Sequence, residues 1–87
     1  MTKIYIYCLF DTVDSFIGVY SSLKAAHRDA LKLSNRGSTN VYMVADEVVM
    51  KPSLTGLRNF FKGKCDTTVR YRTTSTSIKI FKTKLKE

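Results

Sequence analysis

An amphipathic helix between strand-like segments constrains the fold of this chain more than any other feature. Across residues 23–34 the apolar residues recur with the helical period, and basic residues recur every fourth position on the opposite side. Ser21 or Ser22 offers an N-cap, and Gly37 suits the end of the helix. Small alanines in the apolar stripe let a helix lie close to a sheet. The pattern therefore predicts one long helix packed against one face of a sheet.

The segments around this helix have the alternation and composition of strands. Residues Ile4–Phe10 are apolar on both parities, which predicts a central strand with both faces covered or partly covered. An acidic turn at residues 11–15 leads into a second strand at Phe16–Tyr20, so the two form a hairpin. Val41–Ala45 is a third strand, and residues 48–50 either extend it or begin another.

A second helix and two further strands complete the chain. Apolar residues spaced i, i+3, i+6 and i+7 from Leu54 predict a short helix despite Gly56, and Pro52 interrupts strand pairing just before it. Residues 67–72 and 77–82 are rich in threonine, isoleucine and aromatic residues, which is typical of strands.

The last predicted strand contains a conflict of parity. Ile78 and Ile80 share one parity with Lys82, whereas Phe81 and Leu85 share the other. A strand cannot keep both apolar sets inside, so the sequence predicts a bulge or a strand end near Ile80 and Phe81.

These elements belong to one domain spanning residues 1–87, because a core built from 87 residues rarely divides. The predicted class is α+β, with an antiparallel or mixed sheet of four to five strands, one long helix on one face and a short second helix. Cys8 and Cys65 form no CxxC pair, and no apolar run suits a signal peptide or a membrane span. We therefore expect a cytoplasmic protein with reduced thiols and no membrane association.

Positive charge is concentrated in the second half of the chain. The protein has a net charge of +8; residues 1–50 contain five basic and five acidic groups, whereas residues 51–87 contain ten basic and two acidic groups. Such a field attracts phosphate backbones. Lysine on an edge strand also blocks aggregation, but that role needs only one or two residues. The excess therefore favours a nucleic-acid footprint.

The candidate nucleic-acid-binding residues come from both helices and the basic tail. Cations interleaved with rings can clamp phosphates and stack bases, as where Arg70 and Arg72 flank Tyr71. The basic residues on the outer side of the first helix, here called the basic helix stripe, are Lys24, Arg28, Lys32 and Arg36, and those of residues 66–87 are here called the basic tail. Taken alone, the basic helix stripe is also typical of a solvated helix face. A functional nucleic-acid site should place this basic helix stripe beside the basic tail, as one continuous band. If the two lie on opposite sides, docking onto a protein is favoured instead. The candidates are Lys24, Arg28, Lys32, Arg36, Arg58, Lys62, Lys64, Arg70, Tyr71, Arg72, Lys79, Lys82, Lys84 and Lys86.

The tyrosines are a second candidate feature. Tyr5 and Tyr7 share one face of the first strand, and Tyr20, Tyr42 and Tyr71 lie in other strands. On an open sheet face, these rings would form a platform for single-stranded bases. Tyrosine is also a good strand former that packs in cores, and this packing interpretation is favoured because the RNP1 pattern of RNA-recognition motifs is absent.

The sequence gives little support for an enzyme. His27 is the only histidine, and it lies at the edge of the apolar helix stripe, where packing is favoured over general-base catalysis. Asp11 and Asp14 could bind a cation, but an Asp-x-x-Asp turn more often caps its own backbone. No phosphate-loop, zinc-protease or nucleophile-elbow pattern occurs. We therefore expect no catalytic residue, no metal and no cofactor.

The first third of the chain resembles a family of phage proteins. The segments Ile4–Tyr7, Asp11–Asp14 and Gly18–Ala26 resemble small accessory proteins of T-even-type phages, in which a hairpin leads through Gly-Val-Tyr-Ser-Ser into an amphipathic helix. With its basic second half, the chain is similar to the TifA-like family, which binds RNA and inhibits the host endoribonuclease toxin ToxN. The resemblance implies RNA and a host toxin or nuclease as partners in the host cytoplasm. It carries over no functional residue.

The leading hypothesis is a non-enzymatic RNA-binding protein whose basic surface lies in residues 51–87, acting as a phage counter-defence factor. An alternative is an inhibitor whose basic face docks onto an acidic host protein. A small metal-free ribonuclease is the third. The sequence is compatible with a homo-oligomer and gives no preference for a particular RNA sequence.

Overall fold

The described residues form one sheet and two helices. The computed structural model describes residues 4–34 and 40–85. The strands are β1 (Tyr5–Phe10), β2 (Phe16–Tyr20), β3 (Tyr42–Ala45), β4 (Val48–Met50), β5 (Thr67–Arg72) and β6 (Ser77–Lys84), and the helices are α1 (Leu23–Ser34) and α2 (Leu54–Phe61). The strand order is β2-β1-β6-β5-β3-β4, and every neighbouring pair is antiparallel.

The predicted α+β class is confirmed, and the sheet is antiparallel rather than mixed. Helix α1 has the predicted bounds and 12 residues, and the Ser22 hydroxyl accepts a hydrogen bond from the backbone N–H of Ala25 at 3.2 Å. The predicted helix stop at Gly37 lies outside the described residues. The described part of the chain contains six strands, whereas the sequence predicted four to five.

The additional strand arises because β3 and β4 form a tight hairpin. Asp46 and Glu47 between them have φ angles of 49° and 68°, and Ala45 pairs with Val48. Two successive left-handed residues define the two-residue turn whose twist matches that of the flanking strands. Glutamate seldom adopts this conformation, so the sequence left open whether residues 48–50 extended β3.

Both helices pack on the same face of the sheet, here called the helix face. Ala26 and Ala30 of α1 are fully buried, which lets the helix lie close to the central strands. The ring of Phe61 in α2 lies 6.1 Å from that of Tyr7 in β1. The strands contribute alternate residues to this core: Leu9, Met43, Ala45, Val69, Tyr71, Ile78 and Ile80.

Strand β6 contains no bulge, so the irregularity predicted near Ile80 and Phe81 is wrong. It pairs without a register shift with β1 and β5. The parity conflict is resolved because Lys82 points into the helix face, where it is 7% exposed, and Phe81 points to the other side. The Lys82 ammonium donates to the backbone carbonyl of Phe61 at 2.8 Å and lies 4.5 Å from the Tyr5 ring centroid. The same carbonyl also accepts a hydrogen bond from the backbone N–H of Lys64 at 3.0 Å, so Lys82 adds a charged donor at the C-terminal end of α2.

The inward orientation of Lys82 predicts a contrast in stability between two lysines of one strand. We expect Lys82→Ala to lower the free energy of unfolding by about 2 kcal/mol, because the buried stem and its hydrogen bond are both lost. Lys84→Ala changes an exposed side chain and should alter it by less than about 0.5 kcal/mol. Urea denaturation of both variants measures the difference, and equal small effects would contradict the stabilising role of the Lys82 contacts.

Candidate nucleic-acid interface

The face of the sheet opposite the two helices carries aromatic and basic side chains. No described helix covers this open face, and none of its described residues is buried. The alternation of the strands and their pairing register assign side chains to it. Its members are Ile6, Cys8, Phe10, Phe16, Val19, Tyr42, Val44, Val49, Thr68, Arg70, Arg72, Ser77, Lys79, Phe81 and Thr83.

Rings and cations contact one another across this open face. The ring centroids of Phe10 and Phe16 lie 5.7 Å apart in an edge-to-face arrangement. The Lys79 ammonium lies 4.6 Å from the Phe10 ring centroid and 3.5 Å from the carboxylate of Asp14. The open face therefore presents π surfaces and positive charge side by side.

Two cations face each other at the centre of the open face. Lys79 of β6 pairs directly with Arg70 of β5, and like charges in opposed positions destabilise a sheet. Arg70 donates a hydrogen bond to the Ser77 hydroxyl at 3.2 Å, and Asp14 is the one carboxylate within 4 Å of either cation among residues 4–34 and 40–85. An anionic ligand would relieve the remaining repulsion.

The structure places the tyrosines differently from the predicted platform. Tyr5 and Tyr7 lie on the helix face, and so does Tyr20, whose hydroxyl donates to the Asp29 carboxylate at 2.6 Å. This bond lowers the pKa of Asp29 and raises that of Tyr20. Tyr42 is the exposed tyrosine of the open face.

Tyr71 is a correction to the candidate list, because its side chain is fully buried and cannot stack on a base. Its hydroxyl shares a hydrogen bond with Nδ1 of His27. Burial raises the pKa of Tyr71 and lowers the pKa of His27, so both groups are neutral at pH 7. His27 is therefore a packed residue at the edge of the core, as the sequence favoured.

Phenylalanine supplies most of the aromatic surface that sequence reasoning assigned to tyrosine. Phe10, Phe16 and Phe81 all lie on the open face. One signal was present in the sequence, because Phe81 shares its parity with Lys79. The pairing of β1 with β6, which brings Phe10 beside Lys79, joins residues too distant in the chain for local pattern to reveal.

The predicted basic residues divide into separate groups. Arg70, Arg72 and Lys79 lie on the open face. Lys24, Arg58, Lys62 and Lys82 line one cavity of about 480 Å³ on the helix side, here called the basic cavity.

The remaining candidates lie outside both groups. Arg28 forms an ion pair with Asp29 at 3.1 Å, and Lys64 forms one with Asp46 at 3.6 Å. Lys32 and Lys84 are exposed, while Arg36 and Lys86 lie outside the described residues.

Within residues 4–34 and 40–85, the basic residues do not form one continuous band. The stripe of α1 lies on the helix side of the sheet, whereas Arg70, Arg72 and Lys79 lie on the opposite side. Lys24 of the stripe and Lys82 of the tail both line the basic cavity. The physical reason is the alternation of β6, which sends Lys79 and Lys82 to opposite faces.

The acidic turn after β1 is explained by its own backbone. One carboxylate oxygen of Asp11 accepts hydrogen bonds from the backbone N–H groups of Val13 and Ser15, each at 3.0 Å. Across the described ranges, no group of three histidine, cysteine, aspartate or glutamate residues could hold a metal ion. None of the described helices is long and apolar enough to cross a membrane.

Comparisons with known proteins add no relative. No protein-family model matches the chain, and neither the curated proteins nor the solved structures contain a significant match.

The His27–Tyr71 contact predicts a pH dependence of stability. Because the pKa of His27 is lowered in the folded protein, the unfolded chain binds more protons between that pKa and the usual value of about 6.5. The free energy of unfolding should therefore fall as the pH drops below about 6.5. Denaturation from pH 7.5 to 5 measures this fall, which His27→Gln should reduce. Because His27 is the only histidine, its ring Hε1 resonance can be assigned without ambiguity by NMR. A titration midpoint at or above 6.5 would contradict the account.

Proposed function

We propose that the protein binds single-stranded RNA across the open face of its sheet. The observation that carries the proposal is the uncovered face on which Phe10, Phe16 and Phe81 lie beside Arg70 and Lys79. Rings stack on bases whatever their identity, and cations contact phosphates. The two kinds of group together match the two parts of a nucleotide.

The geometry favours a single strand over a duplex. Bases in a duplex already stack on one another, so their faces are not available to protein rings. Adjacent strands are about 4.8 Å apart, so the four strands from β2 to β5 span roughly 14 Å. A sheet surface of this kind accommodates two or three splayed bases. The central Lys79–Arg70 pair would contact the backbone between them.

A second candidate function is docking of the open face onto an acidic protein. The observation that favours it is the exposure of apolar side chains there, with Phe16, Val19 and Val49 each more than half exposed. The separation of the helix stripe from the open-face cations also favours it over RNA binding by one continuous band. The resemblance to TifA-like phage proteins implies such a partner, a host endoribonuclease toxin.

RNA binding by the open face predicts unequal effects of two charge-matched double variants. Arg70→Ala with Arg72→Ala should weaken binding of a single-stranded oligoribonucleotide and lower the slope of log affinity against log salt by about 0.7 for each lost phosphate contact. Arg28→Ala with Lys32→Ala removes the same charge from the other side and should change both quantities much less. Fluorescence anisotropy at several salt concentrations measures them. Equal losses would mean that binding follows net charge alone.

We also propose that the protein binds RNA without cleaving it. The support is that His27 is neutral, half-buried and engaged with Tyr71, so that its ring is not poised beside a substrate proton. Labelled RNA incubated with the protein should stay intact, and His27→Ala should retain RNA affinity. Cleavage that disappears in His27→Ala would instead establish a ribonuclease.

A further inference from the structure

The basic cavity on the helix side is lined by positive charges that no lining carboxylate neutralises. It lies where the start of α1 and the end of α2 meet β1 and β6, and Lys24, Arg58, Lys62 and Lys82 line it. No aspartate or glutamate is among its lining residues. Four basic residues from three separate segments of the chain therefore share one concave surface, which favours an anion.

These four cations also lack ion pairs with the rest of the described protein. Its three ion pairs use Arg28, Lys64 and Lys79, none of which lines the basic cavity. Within residues 4–34 and 40–85, no carboxylate lies within 4 Å of the charged groups of Lys24, Arg58, Lys62 or Lys82. An anion from solution would therefore supply a charge that the described fold does not.

The burial of Lys82 adds to the argument for an anion in the cavity, because this side chain is only 7% exposed. An ammonium has three donors, and the described residues give that of Lys82 one hydrogen bond, to the Phe61 carbonyl. It also lies 4.5 Å from the Tyr5 ring centroid and 6.0 Å from that of Phe61. A buried charge is costly unless it is paired as well as hydrogen-bonded. An anion in the cavity would complete the surroundings of Lys82.

The start of α1 adds backbone N–H donors and the positive end of a helix dipole to the basic cavity. Ser22, Leu23 and Lys24 line the cavity, and the first turn of α1 contains no acidic residue. The backbone N–H groups at a helix start and the helix dipole both favour an anion. Asn59 of α2 provides a further polar side chain in the lining.

We propose that the basic cavity binds a phosphate monoester. Four cations suit a dianion better than a singly charged group, and a phosphate monoester carries a charge of about −1.5 to −2 at pH 7. A phosphodiester inside an RNA chain carries one charge and continues on both sides, whereas a terminal phosphate or a mononucleotide can enter with one end. The ring of Tyr7 lies in the lining, beside which a base or sugar can pack.

The test uses inorganic phosphate and adenosine 5′-monophosphate with the intact, isotope-labelled protein. Added ligand should produce saturable NMR shifts at the amides of Leu23 and Lys24, with sodium chloride at equal ionic strength as the reference. Arg58→Gln and Lys24→Gln should each weaken binding about tenfold, the effect of one lost charge-assisted hydrogen bond. Lys64→Gln, which removes a cation paired with Asp46 outside the cavity, should leave it unchanged.

A second arm identifies the source of the phosphate and separates this inference from the proposed function. If the source is an RNA end, an oligoribonucleotide with a 5′-phosphate should bind more tightly than its 5′-hydroxyl form, and Arg58→Gln should abolish the difference. If the source is a free nucleotide, adenosine monophosphate should bind, and the two oligoribonucleotides should have equal affinities. Shifts that follow ionic strength, or equal losses in Lys64→Gln, would overturn the inference. Binding of the 5′-hydroxyl RNA through Arg70 and Arg72 is measured independently of that result.

Discussion

The alternation of strand β6 is the constraint on which the rest of the structure depends. This strand lies inside the sheet, paired with β1 on one side and β5 on the other, so its register fixes theirs. Ile78 and Ile80 must face the helices to fill the core, and a regular strand then sends Lys82 inward and Lys79 outward. The protein accommodates the buried lysine rather than bending the strand.

This constraint places Lys79 on the open face and Lys82 in the basic cavity, two environments with different chemistry. On the open face, cations lie among phenylalanine rings on a broad surface, which suits the phosphates and bases of a single strand. On the helix side, cations surround a concave space beside a helix start, which suits a compact anion. On the open face, Arg70 and Lys79 are like charges in opposed positions, and such local conflicts are typical of functional sites.

Local pattern predicted the elements whose residues specify their own conformation. Helix α1 follows from its period and its Ser22 cap, and the β1–β2 hairpin follows from the acidic turn closed by Asp11. The β3–β4 hairpin could not be predicted from local pattern. Its turn uses Asp46 and Glu47 in a left-handed conformation that glycine or asparagine usually signals.

The candidate site was predicted in part. The sequence shows which residue types it contains, but their arrangement depends on segments that are distant in the chain. The charge of residues 51–87 was visible in the sequence, and so was the alternation of Arg70, Tyr71 and Arg72. Tyr71 points to one side of β5, and Arg70 and Arg72 point to the other. The packing of the helices decides which side is covered, and it buries Tyr71 and leaves the arginines on the open face. The hydrogen bond that accommodates the buried Lys82 is accepted by the Phe61 carbonyl, 21 residues away in the chain.

The most direct test of the two-face account is an NMR titration of the labelled protein with a short single-stranded oligoribonucleotide lacking terminal phosphates. The account predicts that ring resonances of Phe10, Phe16 and Phe81 shift upfield as bases stack on them, together with the side chains of Arg70 and Lys79, while Arg28 and Lys32 of α1 change little. Changes confined to the helix side, or spread over all cations and removed by moderate salt, would contradict it.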